Sequence, residues 1–409
     1  MKQMLLENKK LIIIIIIVLL LSISGLTLAY FVGQIGPAAT TNVNLTTKTV
    51  DNLTFTTGND ITIGPVNQAN FAQGSGNKSG STTASATLKA NTGNNSATNT
   101  YNVYLKINTN TFEYTTSNNT AELVLKVTNP SGNTQTISGL TQVTSGGITG
   151  YDITNKVSII PIATDYTITT TSTKTDTWTA QVYFVNLNSD QEANTSKTFN
   201  AELVIEKREP VTVTFDANGG SVSQTSKEVT YGTYYEDLPT PTKSGATFLG
   251  WNGKNMILDF INGKGIRTTD GTIYNTAYSV VTNFIEVDFS TKTYYLSYLM
   301  SNLYCAIYAY NEDYEFVSRT SGSIRNRIML DNNSFMNSTS VSNDPIKYIR
   351  VTQYVVSGQT RDNIDGLDFS VIQLEEGTTA TLYEPYYVTS DVAVTQESDH
   401  TLTAVWQEN

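Results

Sequence analysis

The chain has 409 residues, only 15% of them charged, and a net charge of −11 with no basic cluster beyond the first ten residues. That balance argues against nucleic-acid binding, and one cysteine, Cys305, excludes an intramolecular disulfide framework. The length favours two to four domains whose stability comes from sheet cores.

Lys2, Lys9 and Lys10 precede Leu11–Leu21, an unbroken run of Leu, Ile and Val, and a weaker apolar tract continues to Val32. Residues 1–32 therefore read as a secretory signal, with small-residue exits at Ala29 or at Ala38 and Ala39, or as a retained signal-anchor helix. As a helix, 11–32 would span about 33 Å, enough for a hydrocarbon core. Either way the rest of the chain is exported, and the partner expected at this end is the membrane. The tract Gly25-Leu26-Thr27-Leu28-Ala29-Tyr30-Phe31 is similar to the leaders of secreted matrix-fibre proteins of the TasA and camelysin kind.

Residues 33–100 are rich in Thr, Asn, Gly and Ser and read as a stalk, including Gly74–Ser81, with first strands at Leu53–Phe55 and Ile61–Ile63. From Tyr101 the alternation firms up. Tyr101–Ile107, Ala121–Val127, Trp178–Phe184 and Phe199–Ile205 each read as a strand with one buried face. Asn129–Gly132 and Gly146-Gly147 supply turns, so 101–207 is expected to be an immunoglobulin-like β-sandwich with Trp178 in its core. Arg208-Glu209-Pro210 reads as a hinge.

Val211–Phe215 alternates as a strand, Asp216–Gly220 tolerates the positive φ of a tight turn, and Leu238-Pro239-Thr240-Pro241 forms a rigid extended connector. Thr247–Trp251 and Thr401–Trp406 are two more strands, each ending in tryptophan. In order, Thr214–Gly220, Val229–Gly232, Leu238–Pro241, Phe248–Trp251 and His400–Leu402 with Trp406 resemble the internalin-type B repeat, or Listeria–Bacteroides repeat. The resemblance implies a small β-grasp-like module of the kind strung along bacterial surface proteins, and no enzyme. Residues 211–251 and 388–406 would be its two halves. The intervening 252–387 would be a guest domain, tolerated in a loop if its ends meet at the surface.

Ile372–Tyr386 resembles the closing strand of jelly-roll modules found in phage tail fibres and bacterial glycan-binding proteins, and Pro345–Val351 and Cys305–Asp313 resemble other strands of that family. The fold class expected for the whole chain is therefore all-β and multidomain: an N-terminal hydrophobic helix, an immunoglobulin-like β-sandwich, and a β-grasp-like repeat with an inserted β jelly roll. In the strand around Cys305, the small apolar Cys305, Ile307 and Ala309 should face the core, and Tyr304, Tyr308 and Tyr310 the other side. Those three tyrosines, extended by Tyr294, Tyr295 and Tyr298, either form a sugar platform or cover a second sheet or an inter-domain contact.

Catalysis has little to stand on. His400 belongs to the repeat's closing motif, Cys305 has no second histidine to pair with, and no metal or cofactor is expected. Glu312, Asp313, Glu315, Glu375 and Glu376 leave a glycoside-hydrolase carboxylate pair open, and Asp344, Asp365 and Asp368 a structural calcium ion. Three functions follow: a surface adhesin that binds glycans or host and matrix proteins, a structural fibre subunit, or a glycan-processing enzyme.

Overall fold

The computed structural model describes residues 52–67, 72, 74–90, 96–299, 303–320, 324, 327–336, 342–355, 364, 369 and 371–408. The apolar tract 11–32 lies outside them. Among the described residues no helix is long and apolar enough to cross a membrane.

The chain is all-β and multidomain, as the alternation predicts. Its first ten strands are β1 (Asn52–Thr57), β2 (Ile61–Ile63), β3 (Lys78–Lys89), β4 (Ala97–Asn110), β5 (Leu123–Thr128), β6 (Gln142–Ser145), β7 (Ile148–Asp152), β8 (Ile159–Thr170), β9 (Thr173–Phe184) and β10 (Phe199–Glu206). They form two antiparallel sheets, ordered β1-β3-β9-β5-β7-β6 and β2-β10-β4-β8. Between the sheets lies one core, drawn from both, that includes Leu88, Leu105, Leu125, Trp178 and Phe199. Among the described residues the sandwich thus includes β1 and β2, at the strands read from Leu53–Phe55 and Ile61–Ile63. Lys78–Ser81, in the Gly- and Ser-rich stretch that the sequence divides between stalk and strands, opens β3, whose twelve residues pair with β9 along their whole length. The linker-like composition is misleading because the inward positions Ala84, Ala86 and Leu88 are mostly small, while Ser and Thr alternate outward.

Two buried polar networks hold this sandwich. Trp178 Nε1 donates to Tyr101 Oη at 3.1 Å, and the Tyr101 hydroxyl donates to Asp176 at 3.1 Å. Glu122 is fully buried just before β5. One carboxylate oxygen accepts the Thr115 N–H at 2.6 Å, and the other accepts the side-chain amides of Gln191 at 2.7 Å and Asn194 at 2.6 Å. These bonds tie the loop before β10 to the loop before β5.

Next come β11 (Val211–Asp216), β12 (Ser226–Val229) and β13 (Ala246–Asn252). The chain then runs through β14 (Phe260–Ile266), β15 (Ile273–Thr282), β16 (Ile285–Glu286), β17 (Tyr294–Ser297), β18 (Tyr304–Tyr310), β19 (Phe316–Arg319), β20 (Ile328–Leu330), β21 (Tyr348–Tyr354) and β22 (Gln373–Glu376). It closes with β23 (Tyr387–Val388) and β24 (His400–Glu408). The third sheet is ordered β12-β11-β24-β13-β23, so strands far apart in sequence share it. β24 lies parallel to β11 and antiparallel to β13. Trp251 and Phe215 sit in its core, and Phe248 bridges Trp251 and Trp406 at ring-centroid distances of 5.5 and 5.6 Å.

The motif residues of this sheet have structural work. Asn218 and Gly219 adopt φ of 46° and 81° in the turn after β11, and Trp406 Nε1 donates to Ala217 O at 3.0 Å across it. Trp251 Nε1 donates to Pro239 O at 2.8 Å, pinning the proline connector. His400 bonds the Tyr235 hydroxyl through Nε2 at 2.8 Å and Ser398 O through Nδ1 at 2.9 Å.

β13 and β23 pair directly, Trp251 opposite Val388 and Asn252 opposite Tyr387, so the chain leaves this sheet and rejoins it at neighbouring positions. Asn252 Nδ2 donates to Tyr386 O at 2.9 Å, the Lys254 N–H donates to the buried Glu384 carboxylate at 3.0 Å, and Asn255 Nδ2 donates to Ile372 O at 3.3 Å. The two legs of the intervening segment are therefore clipped to each other. Replacing 253–386 by Asn-Gly should close β13 and β23 as a two-residue hairpin. The shortened chain is expected to keep the tryptophan fluorescence and cooperative unfolding of a folded sheet; loss of both would mean that the sheet depends on the excised residues.

Candidate functional site

The excised segment contains a sheet ordered β14-β15-β21-β18-β19, with β16 on β21, facing a smaller one ordered β20-β17-β22. Its core between the sheets includes Leu296, Cys305, Ile307, Ala309, Val351 and Leu374. β18 thus points Cys305, Ile307 and Ala309 inward, as the side-chain sizes predict. Burial pushes the Cys305 thiol well above its ordinary range, away from a reactive thiolate.

The tyrosine side of β18 needs correction. It is no open platform, because Tyr308 and Tyr310 are only 4% and 3% exposed. The turn between β14 and β15 comes over them: the Tyr308 hydroxyl donates to Ile266 O at 3.3 Å and the Tyr310 hydroxyl to Gly271 O at 2.8 Å. With Ile266, Val281, Ala306 and Phe316 they make a second small core. Burial pushes the Tyr308 phenol up to about 12. A register shift between Asn262 and Lys264, with Gly263 at a φ of 71°, falls where β14 bends.

The remaining candidates scatter. Tyr294 is buried in the main core and accepts the Asp288 N–H at 2.8 Å. Tyr298, at a φ of 58°, donates to Thr381 O at 2.9 Å and packs on Tyr383 at 5.9 Å, near the base of the segment. Tyr304 is half-buried beside Tyr354, ring centroids 6.0 Å apart. The five tyrosines therefore share no single surface.

An aromatic group that periodicity does not reveal lies at one end of this unit. Phe284 is 38% and Tyr314 53% exposed. Tyr314 stacks on Tyr348 with centroids 4.6 Å apart and planes 13° apart, and Phe284 stands against Tyr314 at 4.9 Å and Tyr348 at 6.1 Å. Beneath Phe284 the buried Arg350 guanidinium lies 4.7 Å from the ring centre, its Nε donating to Thr282 O at 2.8 Å. Tyr314 holds a φ of 64°, set by Asn311, whose side-chain oxygen accepts the N–H groups of Asp313 and Glu315 at 3.0 and 2.8 Å. These rings come from three separate segments, so no local pattern joins them. The only sequence signal is an aromatic next to the Asn311–Asp313 turn.

The carboxylates considered for hydrolysis also lie apart. Glu375 is buried and takes the Thr381 N–H at 2.9 Å, and Glu376 pairs with Lys292 at 2.8 Å, both on β22. Glu312, Asp313 and Glu315 belong to the β18–β19 turn on the opposite sheet. Of the calcium candidates, Asp365 and Asp368 lie outside the described residues, while Asp344 is exposed and its N–H bonds Ser342 Oγ at 2.9 Å. Among the described residues no three His, Cys, Asp or Glu side chains are grouped to hold a metal.

All three sheet systems meet at a junction. Tyr104, Ile159 and Val204 of the sandwich pack with Tyr231 and Ala393 of the third sheet and Leu382 of the inserted unit. Gly232 is needed there, since a methyl would meet the Tyr104 ring at 2.5 Å. Arg208 lies over the Tyr231 ring at 4.4 Å and pairs with Glu206 and Glu397, while Ser158 Oγ donates to Tyr383 O at 2.7 Å. A cleft of about 280 Å³ opens beside it, lined in part by Ile160, Val371 and Pro385.

Residues 212–275 match the family model of the Listeria-Bacteroides repeat domain. The matched stretch covers β11 to β13, in agreement with the resemblance drawn from the sequence, and then runs on into β14 and the start of β15, which belong to another sheet. No curated protein matches the chain. Among solved structures, an anti-sigma factor domain-containing protein aligns over 76% of this chain and 85% of its own, at 11% identity and a TM-score of 0.13. The CupB6 tip adhesin from Pseudomonas aeruginosa aligns over 87% and 99%, at 8% identity and a TM-score of 0.16. Scores that low carry no argument about fold or function.

Proposed function

We propose that this is a non-catalytic bacterial cell-surface protein, held at the membrane by residues 1–32, whose inserted unit is the head that binds an extracellular glycan. The observation that carries the reading is the repeat match at 212–275 together with the paired, clipped base at Asn252 and Tyr387. Repeats of this family belong to bacterial surface proteins, and an insertion with adjoining ends is displayed without breaking its carrier. The basic, then apolar, N-terminus supports export. No residue receives a catalytic role in this reading.

Protease treatment of intact cells producing the full chain tests it, combined with attachment of those cells to immobilised glycans. Degradation of the protein without lysis, and attachment lost on removing 253–386, are the expected results. A protein fully protected until lysis would refute surface display, and attachment unchanged by the removal would refute the head assignment.

A further inference from the structure

The geometry points to the Phe284–Tyr314–Tyr348 cluster as a binding site for a neutral pyranose sugar. The inference rests on reading the inserted unit as the binding head and adds where that head binds and what it accepts. Two of the three rings are more than one-third exposed, and they meet at 4.9 Å on a part of the unit made by three segments. Flat apolar faces with a phenolic hydroxyl beside them suit the C–H face and the hydroxyl rim of a sugar ring.

Charge selects among the occupants. Among the described residues, the carboxylates Glu286, Glu312, Asp313 and Glu315 each lie within two positions of a ring in the chain and outnumber the cations Lys347, which is paired with Glu286, and Arg350 beneath Phe284. A sulfated, uronic or sialylated sugar would meet that field unfavourably. A quaternary ammonium group, the usual guest of an aromatic cage, is opposed from below, because Arg350 already occupies one face of Phe284 at 4.7 Å. A ligand without charge avoids both repulsions. The Asn311 turn holds the Tyr314 backbone and Tyr348 stacks on its ring, so the ring is set in place before any ligand arrives.

The test titrates the purified full chain with cellotetraose, mannotetraose and chitotetraose, with heparin tetrasaccharide and choline as charged controls, by calorimetry. Saturable binding of at least one neutral tetrasaccharide is expected, with no binding of either control. Tyr314→Asn, which suits the local backbone and removes the ring, and Phe284→Ala should each weaken that binding at least tenfold, while Tyr314→Phe should weaken it less than threefold. The melting temperature of Tyr314→Asn should stay within a few degrees of the parent. Binding that survives both ring removals would overturn the site while leaving the glycan-binding head intact. Preference for heparin or choline would overturn the ligand class. No binding to any neutral probe, or concentration-dependent dimerisation abolished by Phe284→Ala, would overturn the proposal altogether.

Discussion

Glu122→Ala is expected to destabilise the sandwich by roughly 3–5 kcal/mol. The carboxylate accepts three donors in a fully buried site, and its removal orphans the Thr115 N–H and one N–H of each side-chain amide of Gln191 and Asn194, which keep their bonds to Val185 O and Glu113 O. Each orphaned buried donor costs about 1–3 kcal/mol, offset in part because the charge itself was costly to desolvate. That same desolvation outweighs the three hydrogen bonds and holds the Glu122 carboxyl above its ordinary value of 4.5. The folded state then keeps a proton that the unfolded state has released. Its stabilising contribution is complete below about pH 4.5 and is lost as pH rises through the folded pKa. Urea unfolding of the sandwich, followed by Trp178 fluorescence in a background carrying Trp251→Phe and Trp406→Phe, should therefore show a steeper loss of stability above pH 4.5 with Glu122 than with Glu122→Gln. Equal slopes would mean that Glu122 titrates normally.

Tyr310→Ala should cost about 3–5 kcal/mol, the range for truncating a buried aromatic. The ring packs against Phe284 at 4.9 Å and Phe316 at 6.0 Å, and its hydroxyl ties down the β14–β15 turn through Gly271. Tyr310→Phe keeps the ring and loses one neutral hydrogen bond, so about 1 kcal/mol is expected. Thermal melts of the two variants separate the contributions. A Tyr310→Ala protein that melts with the parent would show that the turn does not cover this face in solution.

The contrast between these two sites shows what the sequence can convey. Alternation along β4, β5, β9 and β10 marks their inward faces clearly, because apolar residues recur at alternate positions through Tyr101–Ile107, Leu123–Val127, Trp178–Phe184 and Phe199–Ile205. The turns are equally legible: Gly146 and Gly147, at φ of 50° and 78°, join β6 to β7 where the glycine pair stands. Similarly, the size difference between Cys305 and its tyrosine neighbours gives the inward face of β18. Whether the other face is covered depends on a turn some forty residues earlier, and Arg267–Thr272 carries no apolar pattern to announce it. Covered and open tyrosines look identical along a strand, which is why the sequence leaves Tyr308 and Tyr310 between a platform and a covered face. The ring group at Phe284, Tyr314 and Tyr348 is a product of tertiary structure alone. Glu122 was equally hidden, since one acidic residue on an alternating strand reads as solvent-facing.

The directions of the strands in the third sheet bear on how the molecule would carry a load. β11 runs alongside β24 in the same sense and β13 in the opposite one, so the link from the sandwich and both legs of the inserted unit leave from the same end of the sheet. Tension between a tethered N-terminus and an occupied head would thus open the sheet from that end, pulling rungs apart in succession rather than sliding whole strands past one another. The contact of Ser158 with Tyr383 and the packing around Leu382 bridge the gap between the two points of pull and would be strained first. Under drag, the head would swing out from the sandwich and gain reach before any core of the protein came undone.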